Sequence, residues 1–282
     1  MTDLPSSPQP EGSHAQEVYS VGYQQEVVDF FGGRRAAKQA AFFLPHLRSG
    51  LRLLDCGCGP GSITTDLAEI VEPGETIGVD IELTQVEAAR AHATSRGVQN
   101  VRFEVGSIYD LPFPAASFDA AFIHGVVEHL QEPVRAFREV RRVLKVGGVL
   151  GTRHGDLGGH LLAPMNPLVE RFFTLVRFAY QHEGADPDFG RHQLAALHEA
   201  GFRRLVASAS YDCWAETPVV TERMASMMIS HITQSRMATQ AIELGLADRA
   251  DLEESAAAIQ AWGRDPTAFA AEAWCEAVAW KE

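Results

Sequence analysis

Gly57, Gly59 and Gly61 stand two residues apart in LRLLDCGCGPGSITT, residues 51–65, between a short apolar run and the start of a helical pattern. Glycine there lets the backbone bend sharply and come close to a ligand. A helix beginning near Ser62 turns its unpaired N–H groups and positive dipole end toward the same space. Asp55 closes the strand that leads into the turn, and Asp80 ends a second strand, Thr76 to Val79, 23 residues after Gly57. That interval is close to the ~20 residues at which a Rossmann-type fold presents an acid to a ribose hydroxyl pair, where one carboxylate accepts two hydrogen bonds. The turn reads DxGxGxG and not the GxGxxG of dinucleotide folds, because Ser62 occupies the place of the third glycine.

Chemistry beyond binding needs a group that moves a proton, and histidine does so near neutral pH. His124 follows a fourth strand, Phe118 to Ile123, at the carboxyl edge where open α/β sheets place their ligands. His129 lies in the run EHL, and His154 in RHGDLGGH, a polar loop expected after a fifth strand, Gly148 to Arg153. These two are equal candidates for base or acceptor positioning, and both also read as packed structural histidines. Cys56 and Cys58 are two apart, but Cys213 and Cys275 stand alone in distant segments, so the cysteines form no metal set.

The elements that must position these groups alternate between short apolar strands and helical patterns. A third strand is expected at Val101 to Val105, a sixth at Arg204 to Tyr211, and a last one where Trp274, Glu276, Val278 and Trp280 alternate. Thr84 and Glu87 have the spacing of a helix capping box. DCGCGPG resembles motif I of the class I S-adenosylmethionine (SAM) methyltransferases. GSIYDLPFPAASFDAAF is similar to the GDAxxLPFxxxSFDxV run of the ubiquinone- and menaquinone-biosynthesis type of small-molecule methyltransferase, and RVLKVGGVL to its LKPGG segment. The resemblance covers roughly residues 19–155.

It implies an α/β fold, a Rossmann-like, mostly parallel seven-stranded sheet whose final antiparallel strand inserts beside the sixth. It implies SAM as cofactor, held by the glycine turn with Asp55, by Asp80 with Ile81 and Gln85 after it, and by Arg34 at the SAM carboxylate. Tyr23 joins this set from a cap segment, paired with Tyr19 four residues earlier. Ser107 stands where the family has an Asp that reads the adenine amino group, Ile108 would pack on the adenine, and His124 would lie close by.

Composition fits one main domain with additions. Hydrophobic residues make up 46% of the 282 and charged residues 22%, and no apolar run approaches a membrane span. The formal charge of −13 disfavours a nucleic-acid substrate, and FIHGVV lacks the Asp or Asn followed by two prolines of methyltransferases that act on DNA amino groups. MTDLPSSPQPEGSH lacks the basic start and apolar core of a secretory signal, so a cytoplasmic location is expected. The expected organisation is a disordered tail at 1–15, a helical cap at 16–50, a SAM-binding domain at 51–217, a helical lid at 218–265 and a final strand at 266–282. In the lid, Val220, Met224, Met227 and Met228 form an apolar stripe that faces either the core or a hydrophobic or aromatic small-molecule acceptor. Methyl transfer to such an acceptor, with the receiving atom open among O, N, C and S, is the function expected. An NAD-dependent oxidoreductase and a non-catalytic SAM-binding protein are the alternatives.

Overall fold

The computed structural model describes residues 33–282. Its centre is β1 (Leu53–Cys56), buried along its whole length. A strand covered on both faces carries a continuous apolar run. Flanking it are β2 (Thr76–Asp80), β3 (Val101–Val105), β4 (Phe118–His124), β5 (Leu144–Ala163), β6 (Arg204–Cys213) and β7 (Phe269–Trp280), in the order β3-β2-β1-β4-β5-β7-β6. β1 to β5 run parallel, while β7 is antiparallel to both β5 and β6. Strand order reverses between β1 and β4, the switch point at which open α/β sheets hold ligands.

On one face of the sheet α1 (Ala36–Gln39) and α2 (Ser62–Val71), the latter through Leu67, cover Leu53 and Phe122. Phe43 stacks on Phe122 at 5.6 Å, and a Cβ on Gly151 would meet the Phe43 ring at 2.4 Å, so this glycine makes room for the cap. The second face carries α4 (Pro133–Val143) and α6 (Phe189–Glu199), whose Phe137, Val140 and Leu197 pack with Phe118, Ile123 and Leu150. α3 (Leu83–Arg96) packs Val86 and Ala89 against Phe103.

A second core forms where α5 (Pro167–His182), α7 (Pro218–Gln234), α8 (Arg236–Glu243) and α9 (Arg249–Gly263) meet, around Phe172, Met228, Ile232, Leu252 and Trp262. Its boundary differs from the expected 218–265, because α5, from the segment between β5 and β6, contributes to the same core. Trp262 donates its indole N–H to the Ala163 carbonyl at 3.0 Å and ties this layer to the end of β5.

Two local expectations are corrected. RHGDLGGH is not a loop: β5 continues to Ala163, paired with β7 through Asp156↔Ala273 and, past a bulge, Leu161↔Ala271. Gly159 lets the strands approach at the bulge, where a Cβ would lie 2.8 Å from the Ala273 Cβ. Thr84 and Glu87 form no capping box, since α3 begins at Leu83 after Glu82, whose N–H is received by Asp80 Oδ1 at 3.0 Å.

Candidate functional site

The end of β1 runs into the glycine turn, and all three glycines adopt left-handed backbone angles, with φ of 73° at Gly57, 50° at Gly59 and 78° at Gly61. Other residues are strained in that region. Space adds a second constraint at two of them. A Cβ at Gly57 would lie 2.2 Å from Val126, and one at Gly61 would lie 2.6 Å from Ala89. At Gly59 an added Cβ meets no atom within 4 Å, so the turn opens outward there. Asp80 at the end of β2 accepts the Gly59 N–H through Oδ2 at 2.8 Å, which joins the carboxylate to the turn. Burial raises the Asp80 pKa, with N–H groups of Glu82 and Gly59 acting against it.

Beside it Ile81 is an apolar side chain 55% exposed, whereas Gln85 is buried. An open glycine cradle, a carboxylate and an exposed aliphatic surface in sequence suit a nucleoside's phosphate-free sugar and flat base. These residues therefore fit the adenosyl part of SAM.

Other expected cofactor residues stand in varied places. Tyr23 and Tyr19 lie outside the described residues. Asp55 is turned inward: it is 3% exposed and accepts the Thr64 hydroxyl at 2.6 Å, which holds the first turn of α2. Burial pushes its pKa to about 7 although the Thr64 hydrogen bond acts the other way. The Ser107 hydroxyl accepts the Tyr109 N–H at 3.2 Å, and the Ile108 side chain is packed into the sheet core. His124 is buried at the end of β4, 4.7 Å from the Trp274 ring, with Nδ1 near the Arg153 carbonyl at 3.4 Å. Its Nε2 meets no hydrogen-bond partner among the described residues. Burial and then the Arg34 and Arg153 charges hold it neutral, with a pKa well below the ordinary range.

Next to this edge lies a cavity of about 110 Å³, bordered by Arg34, Gly125 and Glu128 on the sheet side. Its cover is apolar and aromatic: Phe172, Val176 and Tyr180 from α5, Met224 and Met227 from α7, and Trp214 before α7. Val126, which follows Gly125, packs against Gly57, so the cavity and the glycine turn adjoin. Met228 is not on this wall and sits fully buried in the helical core.

The two histidine candidates separate. His129 lines the cavity, its ring 4.9 Å from Tyr180, and burial lowers its pKa to about 4 with only partial compensation from Glu128. His154 is 0% exposed: Nδ1 bonds Glu128 Oε2 at 2.6 Å and Nε2 pairs with the Thr152 hydroxyl. Phe189 crosses it edge-on at 5.2 Å. With both nitrogens engaged inside the core it does not reach the cavity, which corrects the expectation that it could serve as base equally with His129. It acts on Glu128, which lines the cavity. Burial alone would push the Glu128 carboxyl up, but the His154 charge and hydrogen bond and then His129 bring it down to about 2.

Among the wall residues that sequence reasoning missed, four bear on the chemistry. Trp274 lines it with Arg34 5.3 Å from its ring centre and Arg153 at 4.3 Å, and cations near an aromatic ring are held by its quadrupole. Glu272 lies two residues earlier on the same face of β7. Glu128 and His231 complete the set, and burial lowers the His231 pKa to about 4. A signal for Glu272 did exist. It extends the even-numbered series Trp274, Glu276, Val278, and an antiparallel last strand brings its first residues to the carboxyl edge of the others.

Residues 47–177 match the family described as a methyltransferase domain. The chain is 31% identical over 203 residues to 27-O-demethylrifamycin SV methyltransferase of Amycolatopsis mediterranei, covering 70% of this chain and 72% of that one. It is 37% identical over 144 residues to the protein of Aspergillus luteorubrus named "Probable methyltransferase ltbC", covering 48% and 50%. The chain spans about half the length of the first curated relatives it matches. In fold it is similar to the crystal structure of YcgJ of Bacillus subtilis, with a TM-score of 0.56, 22% identity, and coverage of 87% of this chain and 99% of that one. The chain belongs to the class I SAM-dependent methyltransferase family, and its cofactor is SAM. Among the described residues no helix is long and apolar enough to cross a membrane.

Proposed function

We propose that this chain transfers a methyl group from SAM to a small apolar or aromatic molecule held in the cavity beneath α5 and α7. The observation that carries the reading is the junction of that cavity with the glycine turn through Gly125 and Val126. When bound, SAM supplies an electrophilic methyl group on a positively charged sulfur. The chain's own task is then alignment and exclusion of water, and positioning of this kind lowers barriers by several kcal/mol. Asp80, the glycine turn and Arg34 would orient the cofactor, with Tyr23 and Ser107 as further contacts. Phe172, Tyr180, Trp214 and Trp274 would orient a flat acceptor.

Size supports a single ring. An engineered apolar cavity of about 150 Å³ binds benzene, and the volume here is of that order. Larger acceptors would require α5 and α7 to separate, which is the sense in which these helices form a lid. The formal charge of −13 weighs against nucleic acid as acceptor, and we place the activity in the cytoplasm.

The test has two parts. Calorimetry should find binding of SAM and S-adenosylhomocysteine, and a labelled-methyl screen of extract metabolites should find one or more small molecules that gain a methyl group. Binding without any labelled product would favour a non-catalytic SAM-binding protein. Binding of NAD with no response to SAM would return the oxidoreductase alternative.

A further inference from the structure

Five ionisable groups that could accept a proton stand at or beside the cavity, and hydrogen bonds already hold two of them. Both nitrogens of His154 are committed within the core. Glu128 is held by His154 and by the Gly155 N–H at 3.2 Å. His129 and His231 line the cavity, each against one aromatic ring, Tyr180 at 4.9 Å and Phe172 at 6.1 Å, and burial lowers the pKa of both to about 4, which makes them weak bases. Glu272 is different. It lines the cavity from the first half of β7, and its carboxylate receives no hydrogen bond from any described residue. A Cβ on Gly155 would lie 3.8 Å from its Oε1 and 3.7 Å from Glu128 Oε1, so the two carboxylates flank one short stretch of β5.

We propose that Glu272 is the catalytic residue that takes the proton from a hydroxyl group on a small aromatic acceptor bound in this cavity. The proposal rests on the methyl-transfer reading above. In the step, the hydroxyl oxygen forms a bond to the methyl carbon while the carbon–sulfur bond breaks and its electron pair stays on sulfur. The hydroxyl proton passes to the Glu272 carboxylate and leaves to water when the product departs. Arg34 on the same wall would stabilise an oxygen that gains negative charge.

The groups facing Glu272 are Arg34 before α1, Glu128 after β4, Arg153 on β5 and Asp212 on β6, with His129 and His231 across the cavity. Burial raises its pKa to about 7, which Arg34 and Arg153 oppose and Asp212 and Glu128 support. A carboxyl group titrating there is matched to general-base work at neutral pH.

The test uses 4-nitrophenol, a one-ring phenol whose visible absorbance reports its ionisation. In the full wild-type chain saturated with S-adenosylhomocysteine, the bound phenol should ionise about one pH unit or more higher than in Glu272→Gln, because a neighbouring carboxylate disfavours a second negative charge. Glu272→Asp should restore most of that shift. Turnover of whichever acceptor the extract screen yields should fall roughly 10²- to 10⁴-fold in Glu272→Gln and lose its acid limb near neutrality. Equal phenol titrations in wild type and Glu272→Gln, both binding S-adenosylhomocysteine, overturn the role of Glu272 and leave the cofactor reading standing. So does a wild-type chain that binds the cofactor product but no phenol at millimolar concentration. A wild-type chain that binds neither overturns both.

Discussion

At the scale of single residues, the site separates groups that hold the protein together from groups open to a ligand. Asp80 and Glu128 illustrate the difference. Asp80 carries hydrogen bonds from Gly59 and Glu82 at the open edge of the turn. Asp80→Ala should weaken S-adenosylhomocysteine binding by about 1.5–3 kcal/mol for each charged hydrogen bond lost, read by calorimetry. Unchanged affinity would take Asp80 out of the ribose role.

Glu128 is paired inside with His154. Glu128→Gln should cost about 3–5 kcal/mol of stability at pH 7, because it leaves a buried partner uncompensated. The pH dependence has a definite sign. With its pKa lowered to about 2, Glu128 stabilises the fold above its unfolded value, and that contribution drains away as pH falls from about 4.5 toward 2. Denaturant titrations should therefore show the gap between wild type and variant narrowing over that window. A constant gap would mean that the carboxylate charge is not what stabilises.

Elements decide how the cavity is closed. α7 presents Met224 and Met227 to the cavity while Met228 points into the helical core, although all three share an apolar stripe in sequence. Substituting Met224 and Met227 together by Gln should raise the acceptor KM or lower turnover, with affinity for S-adenosylhomocysteine nearly unchanged. Met228→Ala should instead act on stability, at about 2–5 kcal/mol for a methionine truncated in a closed core. Equal losses of cofactor affinity and turnover in the double variant, with an unchanged circular dichroism spectrum, would assign this face of α7 to the cofactor site.

For the whole molecule, the question is whether the sheet and the helical layer unfold together. β5 and β7 run through both: their far ends pair at Ala163↔Phe269, and Trp262 bonds the Ala163 carbonyl. At the sheet end, Arg153 is 1% exposed and joins Asp212 on β6 to Glu276 on β7, where Ser208 and Ser210 also bond. A single cooperative transition is expected, with tryptophan fluorescence and far-ultraviolet circular dichroism melting at one temperature. Trp214 and Trp262 report the helical layer, and Trp274 and Trp280 the sheet. S-adenosylhomocysteine at 100 times its Kd should add about 2.7 kcal/mol and shift both probes equally. Two separated transitions would make the layer an independent unit.

The sequence by itself determined the glycine turn, the acid at the end of the second strand and the succession of strands along the chain, while the antiparallel close was implied by the family resemblance. The first three depend on local rules, such as left-handed glycine angles, period-two alternation and the spacing from Gly57 to Asp80. What lies across long separations was decided only by tertiary structure. His129 and His154 were indistinguishable in sequence until β5 turned one inward against Glu128 and Phe189 and left the other on the cavity wall. RHGDLGGH looked like a loop because its glycines weaken strand propensity, and pairing with the alanines of β7 overrode that signal. Glu272 and Arg34 are separated by nearly the whole described chain, yet both line one cavity. Alternation says which residues share a face of a strand, but it carries no information about which distant elements pack over that face, and those contacts set the burial of Glu272 and the charges around it.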